Sequence, residues 1–248
     1  MEDQTLTPAE ITSQPNEMGF VGKLINIFVN PQKTFESLNR KPTWLWPMIL
    51  IMVITAITLQ ITFPMILDTQ MESLRNNPNI PPEQLKVIEQ QLAENIGQQR
   101  IIMTVAPLIF IPLVFYLLLA GIFYFVGSVI LGGDCSFKKV LSVWSWSTCI
   151  GIVATIVTVP LILAKGNLNV TLSPALLLSG DALDSTLYIV LSQLNFFTAW
   201  QLAVFAFGFA TIYRFSVSKG YVTIGVLWAI WISLAAIFSS TLKKFGMM

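Results

Sequence analysis

The chain has 248 residues, of which 54% are hydrophobic and only 11% charged, with a formal net charge of +1. A soluble domain carries about 25% charged residues, so this chain cannot cover a water-facing surface; a mean hydropathy of +0.71 agrees, and the sequence reads as a polytopic membrane protein. Near-neutrality without a basic tract gives no support to nucleic-acid binding, and the absence of histidine removes the usual general base, the commonest metal ligand and Ser-His or Cys-His catalysis.

Residues 1–17 are polar, with Pro8, Pro15 and four acids, and read as a flexible tail. No basic start followed by an apolar core occurs in the first forty residues, so insertion is expected to rely on the first membrane helix. In residues 18–43, Phe20, Leu24, Ile27 and Phe28 recur at helical spacing. Asn30 then suits an N-cap and Pro31 a first helical residue, and Phe35 and Leu38 share a face. Two short amphipathic helices are expected here. They lie in the cytoplasmic interface with Phe20, Phe28 and Phe35 inserted and Lys23, Lys33, Arg40 and Lys41 on anionic headgroups. The alternative is that they pack on the protein's own surface.

Five apolar spans follow, at about 44–67, 101–131, 140–164, 194–216 and 221–242, each near the roughly 20 residues that a bilayer requires. None has a charge in its centre. Trp44, Trp46, Trp144, Trp146, Trp228 and Trp231 lie near span ends, as an interfacial belt requires, with Trp200 the exception. The loop at 68–100 contains an amphipathic helix with Leu85, Ile88, Leu92 and Ile96 in its apolar stripe, and 165–193 is a second long loop. With the amino terminus inside, Lys23, Lys33, Arg40, Lys41, Lys138, Lys139, Arg214 and Lys219 fall on the cytoplasmic side. Arg75, Lys86, Arg100, Lys165, Lys243 and Lys244 fall outside. The cations of the two short loops favour this orientation, while Lys243 and Lys244, in the short tail 243–248, oppose it.

The corner "GGDCSFKK" after the second span lacks both the spacing of a phosphate loop and the G-x-S-x-G of a nucleophile elbow. A turn accounts for each residue. Gly132 and Gly133 end one helix at positive φ, Asp134 or Ser136 caps the next, and Lys138 and Lys139 hold the corner at the cytoplasmic surface. It is also a candidate contact surface. Cys135 and Cys149 are fourteen residues apart, roughly 21 Å on one helix, too far for a disulfide.

Four stretches resemble one family. They are the entry "NPQKTFESLNRKPTWLWP", the loop "PPEQLKVIEQQLAE", the corner "GGDCSFKKVLSVWSWS", and the final pair of spans joined by "YRFSVSKGY". In this order, over residues 19–242, they resemble the Yip domain family of Rab-interacting, Golgi-type membrane proteins, in its uncharacterised bacterial branch. The resemblance implies five membrane helices and a cytoplasmic amino-terminal segment. No activity and no site residues carry over with it.

The spans hold no buried acid or base, which argues against a proton-coupled pump. Gln60, Gln193, Asn195, Gln201, Ser145 and Ser147 remain as inter-helix hydrogen-bonding groups or as the lining of a polar path. Pro107 and Pro112 are expected to bend the second helix. The reading is an all-α bundle of five transmembrane helices, 44–242, with amphipathic interfacial helices before the first span and in the first outer loop. It is expected to be a non-enzymatic scaffold or partner-binding adaptor without cofactor or metal, in the bacterial cytoplasmic membrane. Its expected partners are membrane lipids and a protein partner or a second copy. The rival is a small-solute permease using the bent second span and the amides Gln60, Asn195 and Gln201. Asn169 begins an N-V-T sequon that matters only in a eukaryotic host.

Overall fold

The computed structural model describes residues 18–166, 168, 170, 172–178 and 185–244, apart from the side chains of 93, 99, 102–111 and 240–244. The tail expected at 1–17, the sequon at Asn169 and residues 245–248 lie outside the described residues. So do the side chains of Pro107, Lys243 and Lys244. Among the described residues there is no strand, and five helical segments are long and apolar enough to cross a membrane. The protein is an all-α, multi-pass membrane bundle.

Among the described residues ten α-helices follow in order: α1 Phe20–Val29, α2 Pro31–Arg40, α3 Leu45–Arg75, α4 Pro82–Glu94, α5 Ile96–Tyr124, α6 Phe137–Ser147, α7 Ile150–Lys165, α8 Thr186–Gln193, α9 Phe196–Tyr213 and α10 Val217–Lys244. The second span continues beyond α5 as a π-helical turn, Phe125–Ile130. The third is not one rod: Thr148 and Cys149 break it into α6 and α7. Thr148 donates its hydroxyl to the Ser145 carbonyl at 2.7 Å and shares a 2.6 Å hydrogen bond with Tyr116 on α5. A side chain that bonds its own backbone in this way competes with the helical ladder.

Proline acts on α3 through its missing donor. Pro64 has no N–H to offer the Gln60 carbonyl four residues before it. Arg100 of α5 supplies one: its Nη2 donates to that carbonyl at 3.3 Å, and its Nε donates to Gln60 Oε1 at 2.5 Å. The guanidinium also lies 5.4 Å from the centre of the Phe63 ring, a cation–π distance. One cation thus joins the outer halves of α3 and α5.

The core gathers at one end of the bundle. Every residue of α6 from Val140 to Ser147 is buried, as is most of α9 from Val204 to Tyr213. Around them pack Ile27 and Leu38 of α1 and α2, Met48 of α3, Ala120 and Phe123 of α5, and Ile224 of α10. The outer lengths of α3, α7 and α10 expose apolar stripes instead, such as Ile49, Val53, Ile57 and Ile61 on α3. Spacing of four along a helix puts these side chains on one face, toward lipid. Trp144 and Trp146, expected in an interfacial belt, are buried in the core instead. Trp144 stands against Phe123, Phe205 and Tyr116.

The amphipathic helix of the first long loop is α4, which ends at Asn95, whose φ of −108° and ψ of 14° separate it from α5. Trp200, the exception to the expected belt, has its ring 6.2 Å from that of Phe28 of α1.

Three helices meet closely at Gly208, where an added Cβ would collide with Val143 of α6 and the Phe35 ring of α2. Gly208→Leu should therefore lower the thermal unfolding midpoint of the purified protein by roughly 3–10 °C, as overpacking of about 1–3 kcal/mol implies. Gly121→Leu, at a position open to its surroundings, should leave the midpoint nearly unchanged.

Candidate functional site

The amino-terminal hairpin is docked in the bundle rather than lying apart from it. α2 packs along α9 and α6, and α1 packs on α2 and α6. Asn30 is the N-cap and Pro31 the first residue of α2, though no side-chain bond closes the cap. The tip of the hairpin stands beside Trp200, thirteen residues before Tyr213, or roughly 20 Å along α9.

Thr43 ties the hairpin's three strands of contact together. Trp146 of α6 donates its indole N–H to the Thr43 carbonyl at 2.7 Å, with the Thr43 hydroxyl 3.3 Å away. Lys23 of α1 donates to that same hydroxyl at 3.4 Å. Thr34 of α2 donates its hydroxyl to the Lys23 carbonyl at 3.2 Å. These bonds satisfy polar groups that burial would otherwise penalise by about 1–3 kcal/mol each.

The expected division of labour in this segment is largely reversed. Phe35, expected to insert into lipid, is fully buried against Gly208, and its ring stands 6.3 Å from that of Phe207. Phe28 is half-buried on Trp200. Phe20 stays exposed at one edge while its ring lies 5.4 Å from Trp146. Lys23, expected on headgroups, is only 5% exposed and turned into the protein. The residues that face outward on α1 are Val21, Ile25 and Val29, at 65%, 56% and 73% exposure. Their spacing of four was readable in the sequence, but the aromatic residues drew the reading to the other face. Lys33, Arg40 and Lys41 are exposed as expected. Lys33 and Arg40 share the outward side of α2 with Gln32 and Glu36, whose side chains are joined by a 2.9 Å hydrogen bond.

The corner is a turn. Gly132 takes a φ of 67°, which suits glycine, while Gly133 does not adopt positive φ. Gly133 instead leaves room for the rings of Tyr213 and Phe215. Ser136 is the N-cap of α6 by position, without a side-chain bond. Asp134 and Lys138 are exposed, and Lys139 donates to Asn39 of α2 at 2.7 Å. The corner therefore anchors the hairpin's end to the start of α6.

Tyr213 locks the corner from the fourth span. Its ring fills the notch left by Gly127 in the π-helical turn. Its hydroxyl shares a 3.1 Å hydrogen bond with Ser128 and donates to the Tyr124 carbonyl at 3.4 Å, where α hydrogen bonding gives way to π. The ring of Phe215 stacks on that of Tyr213 at 5.3 Å and 11°, and Lys219 Nζ lies 3.8 Å from the Phe215 centroid. Sequence reasoning passed over Tyr213; its glycine partners lie about eighty residues away in the chain, and nothing local announces them.

Nothing in this arrangement suggests covalent chemistry. Burial pushes the Cys135 thiol up to about 11, against the opposing pull of Lys139. Cys149 is buried in the core. Among the described residues, no group of three His, Cys, Asp or Glu side chains could hold a metal ion.

The amides singled out for a polar path are dispersed. Gln60 is engaged by Arg100. Asn195 caps α9 by accepting from the Phe197 N–H at 2.9 Å. Gln201 is half-buried on α9. A cavity of about 180 Å³ between α9 and α10 is lined by Ala199, Ala203, Ala206, Ile224, Gly225 and Trp228, with Leu202 and Tyr221. It is mostly apolar and contains none of the three amides.

The Yip1 domain family model matches residues 25–239 of the chain, from the middle of α1 almost to the end of α10. No curated protein and no solved structure matches it.

A thiol held near 11 is almost wholly protonated at neutral pH, and only the thiolate reacts. Maleimide labelling of Cys135 in the intact protein should therefore be slow at pH 7. It should rise about tenfold per pH unit toward pH 10 and still be climbing there. A rate that levels off by about pH 10 would show an ordinary thiol.

Proposed function

The chain belongs to the Yip1 domain family, and from that premise we propose that it is a non-enzymatic membrane-organising scaffold whose working part is the docked hairpin α1–α2. The observation that carries this reading is the contrast between the hairpin's two outward faces. α1 presents Val21, Ile25 and Val29 outward, and α2 presents Gln32, Lys33, Glu36 and Arg40. Charged side chains cost about 2.5–3.5 kcal/mol or more at the bilayer centre, so α2 belongs in water or among headgroups. The apolar stripe of α1 belongs in acyl chains, where each large aliphatic side chain gains about 1.5–3 kcal/mol over exposure to water. The boundary between lipid and water then follows the hairpin itself.

This placement gives the molecule an asymmetric section. The hairpin runs along α9 from the end that carries Tyr213 to Trp200, so the protein is broader over that length than at the far ends of α3, α7 and α10. A wedge of this kind favours curvature toward the narrow leaflet and marks the broad one with a cationic surface. Lys33, Arg40, Lys41 and Lys138 of that surface meet anionic headgroups, each worth about 1 kcal/mol near the membrane. The cations at this end favour the cytoplasmic side for it by the positive-inside rule. The dispersal of Gln60, Asn195 and Gln201, with an apolar cavity elsewhere, weighs against the permease.

The test is reconstitution into vesicles at increasing protein-to-lipid ratio, with diameters read by electron cryomicroscopy. The wild-type protein should shift the population to smaller vesicles. A variant carrying Val21→Ser, Ile25→Ser and Val29→Ser, all outside the core, should lose most of that shift while keeping its unfolding midpoint within a few degrees. Equal diameters for the two proteins, or a solute flux that the variant retains, would overturn the scaffold reading.

A further inference from the structure

The hairpin's end and the corner bring the basic side chains of separate elements together. Lys139 of α6 bonds Asn39 of α2, which brings Lys138 and Lys139 beside Arg40 and Lys41. Gly133 of the corner packs under Tyr213 and Phe215, which sets Arg214 and Lys219 on the adjoining turn. Against these six cations this end carries two acids, Glu36 and Asp134. Arg40, Lys41, Lys138 and Arg214 are exposed.

The polypeptide that precedes α1 has the complementary charge. Residues 1–17 contain Glu2, Asp3, Glu10 and Glu17 and no lysine or arginine. This segment joins the described structure at the basic end. Phe20 lies against Trp146, whose indole is bonded to Thr43, two residues after Lys41. Phe20, three residues after Glu17 in the chain, therefore lies near the end of α2 that carries Arg40 and Lys41. Seventeen residues can extend roughly 56 Å, so length does not keep Glu2 or Asp3 from any of the six cations. Tethering also makes the encounter intramolecular, which raises its effective concentration well above that of a free peptide.

We propose that the acidic segment 1–17 docks on the basic end formed by Arg40, Lys41, Lys138, Lys139, Arg214 and Lys219. It shields the same cations that an anionic bilayer would engage, so anionic lipid displaces it. That displacement, unlike the docking, rests on the reading of the hairpin as a lipid-facing element.

The test uses the full-length protein, one copy per nanodisc, treated with a water-soluble carbodiimide. This reagent joins a carboxylate to a nearby lysine as an amide, and the products are mapped by peptide mass spectrometry. The exposed Lys33 and Glu36, one turn apart on α2, serve as the internal control for reaction. In zwitterionic nanodiscs at low salt, Glu2, Asp3, Glu10 or Glu17 should be linked to Lys41, Lys138 or Lys139. The yield should fall at least about threefold at 1 M salt, where charges are screened within roughly 3 Å. Tail links only to Lys86 or Lys165, or none while the control pair reacts, would overturn the docking. In nanodiscs of anionic lipid the tail links should fall severalfold at low salt. If docking holds but these links persist undiminished, the competition with lipid is overturned and the docking stands.

Discussion

Gly208 has no Cβ, and the ring of Phe35 occupies the space where one would be, with Val143 on the other side. That contact admits the α2 helix to the bundle. It sets α2 along α9 and α6, draws α1 in behind it, and turns Phe35 from a lipid anchor into a core residue. Most other features of the compact end rest on it. Trp146 can reach Thr43, and Lys139 can reach Asn39, only because the hairpin is seated. Interior packing tolerates little added volume, so a side chain at 208 would lift the hairpin rather than distort a ring.

Seating the hairpin decides how its polar groups are satisfied. A free interfacial helix leaves its polar face in water, whereas a docked one must find partners for whatever it buries. Lys23, Thr34 and Thr43 do so among themselves and with Trp146. At the other end of the molecule Arg100 meets a comparable demand, since Pro64 takes a donor from the Gln60 carbonyl and Arg100 returns one. In both places a long cationic side chain reaches from its own helix to an acceptor elsewhere in the bundle. This is how a bundle with few charges in its spans still links its helices by polar bonds.

The five spans and the all-α class were legible because about twenty apolar residues leave a chain few alternatives in a bilayer. Gly132 was legible because a short turn demands positive φ. The family resemblance rested on the order of four loose motifs, and the match over 25–239 agrees with it. The inward turn of Lys23 was not legible, because its partner Thr43 is twenty residues away. The burial of Trp144 and Trp146 was hidden for a related reason: a tryptophan near a span end reads as a belt until a second helix covers it. The break at Thr148 depends on Tyr116, thirty-two residues earlier. The sequence showed α1 to be amphipathic, but which face turned inward was decided by α6 and α9, on which the hairpin docks.

The central claim is that the hairpin is part of the bundle. Phe28 is half-buried and accepts a similar ring with little disturbance, and its partner Trp200 lies on α9. The most direct measurement places benzoylphenylalanine at position 28, irradiates the protein in native-lipid nanodiscs and maps the adducts. A docked hairpin yields adducts on the α9 peptide around Trp200. Adducts on lipid alone, with none on α9, would contradict the account and return the hairpin to the membrane surface as a separate element.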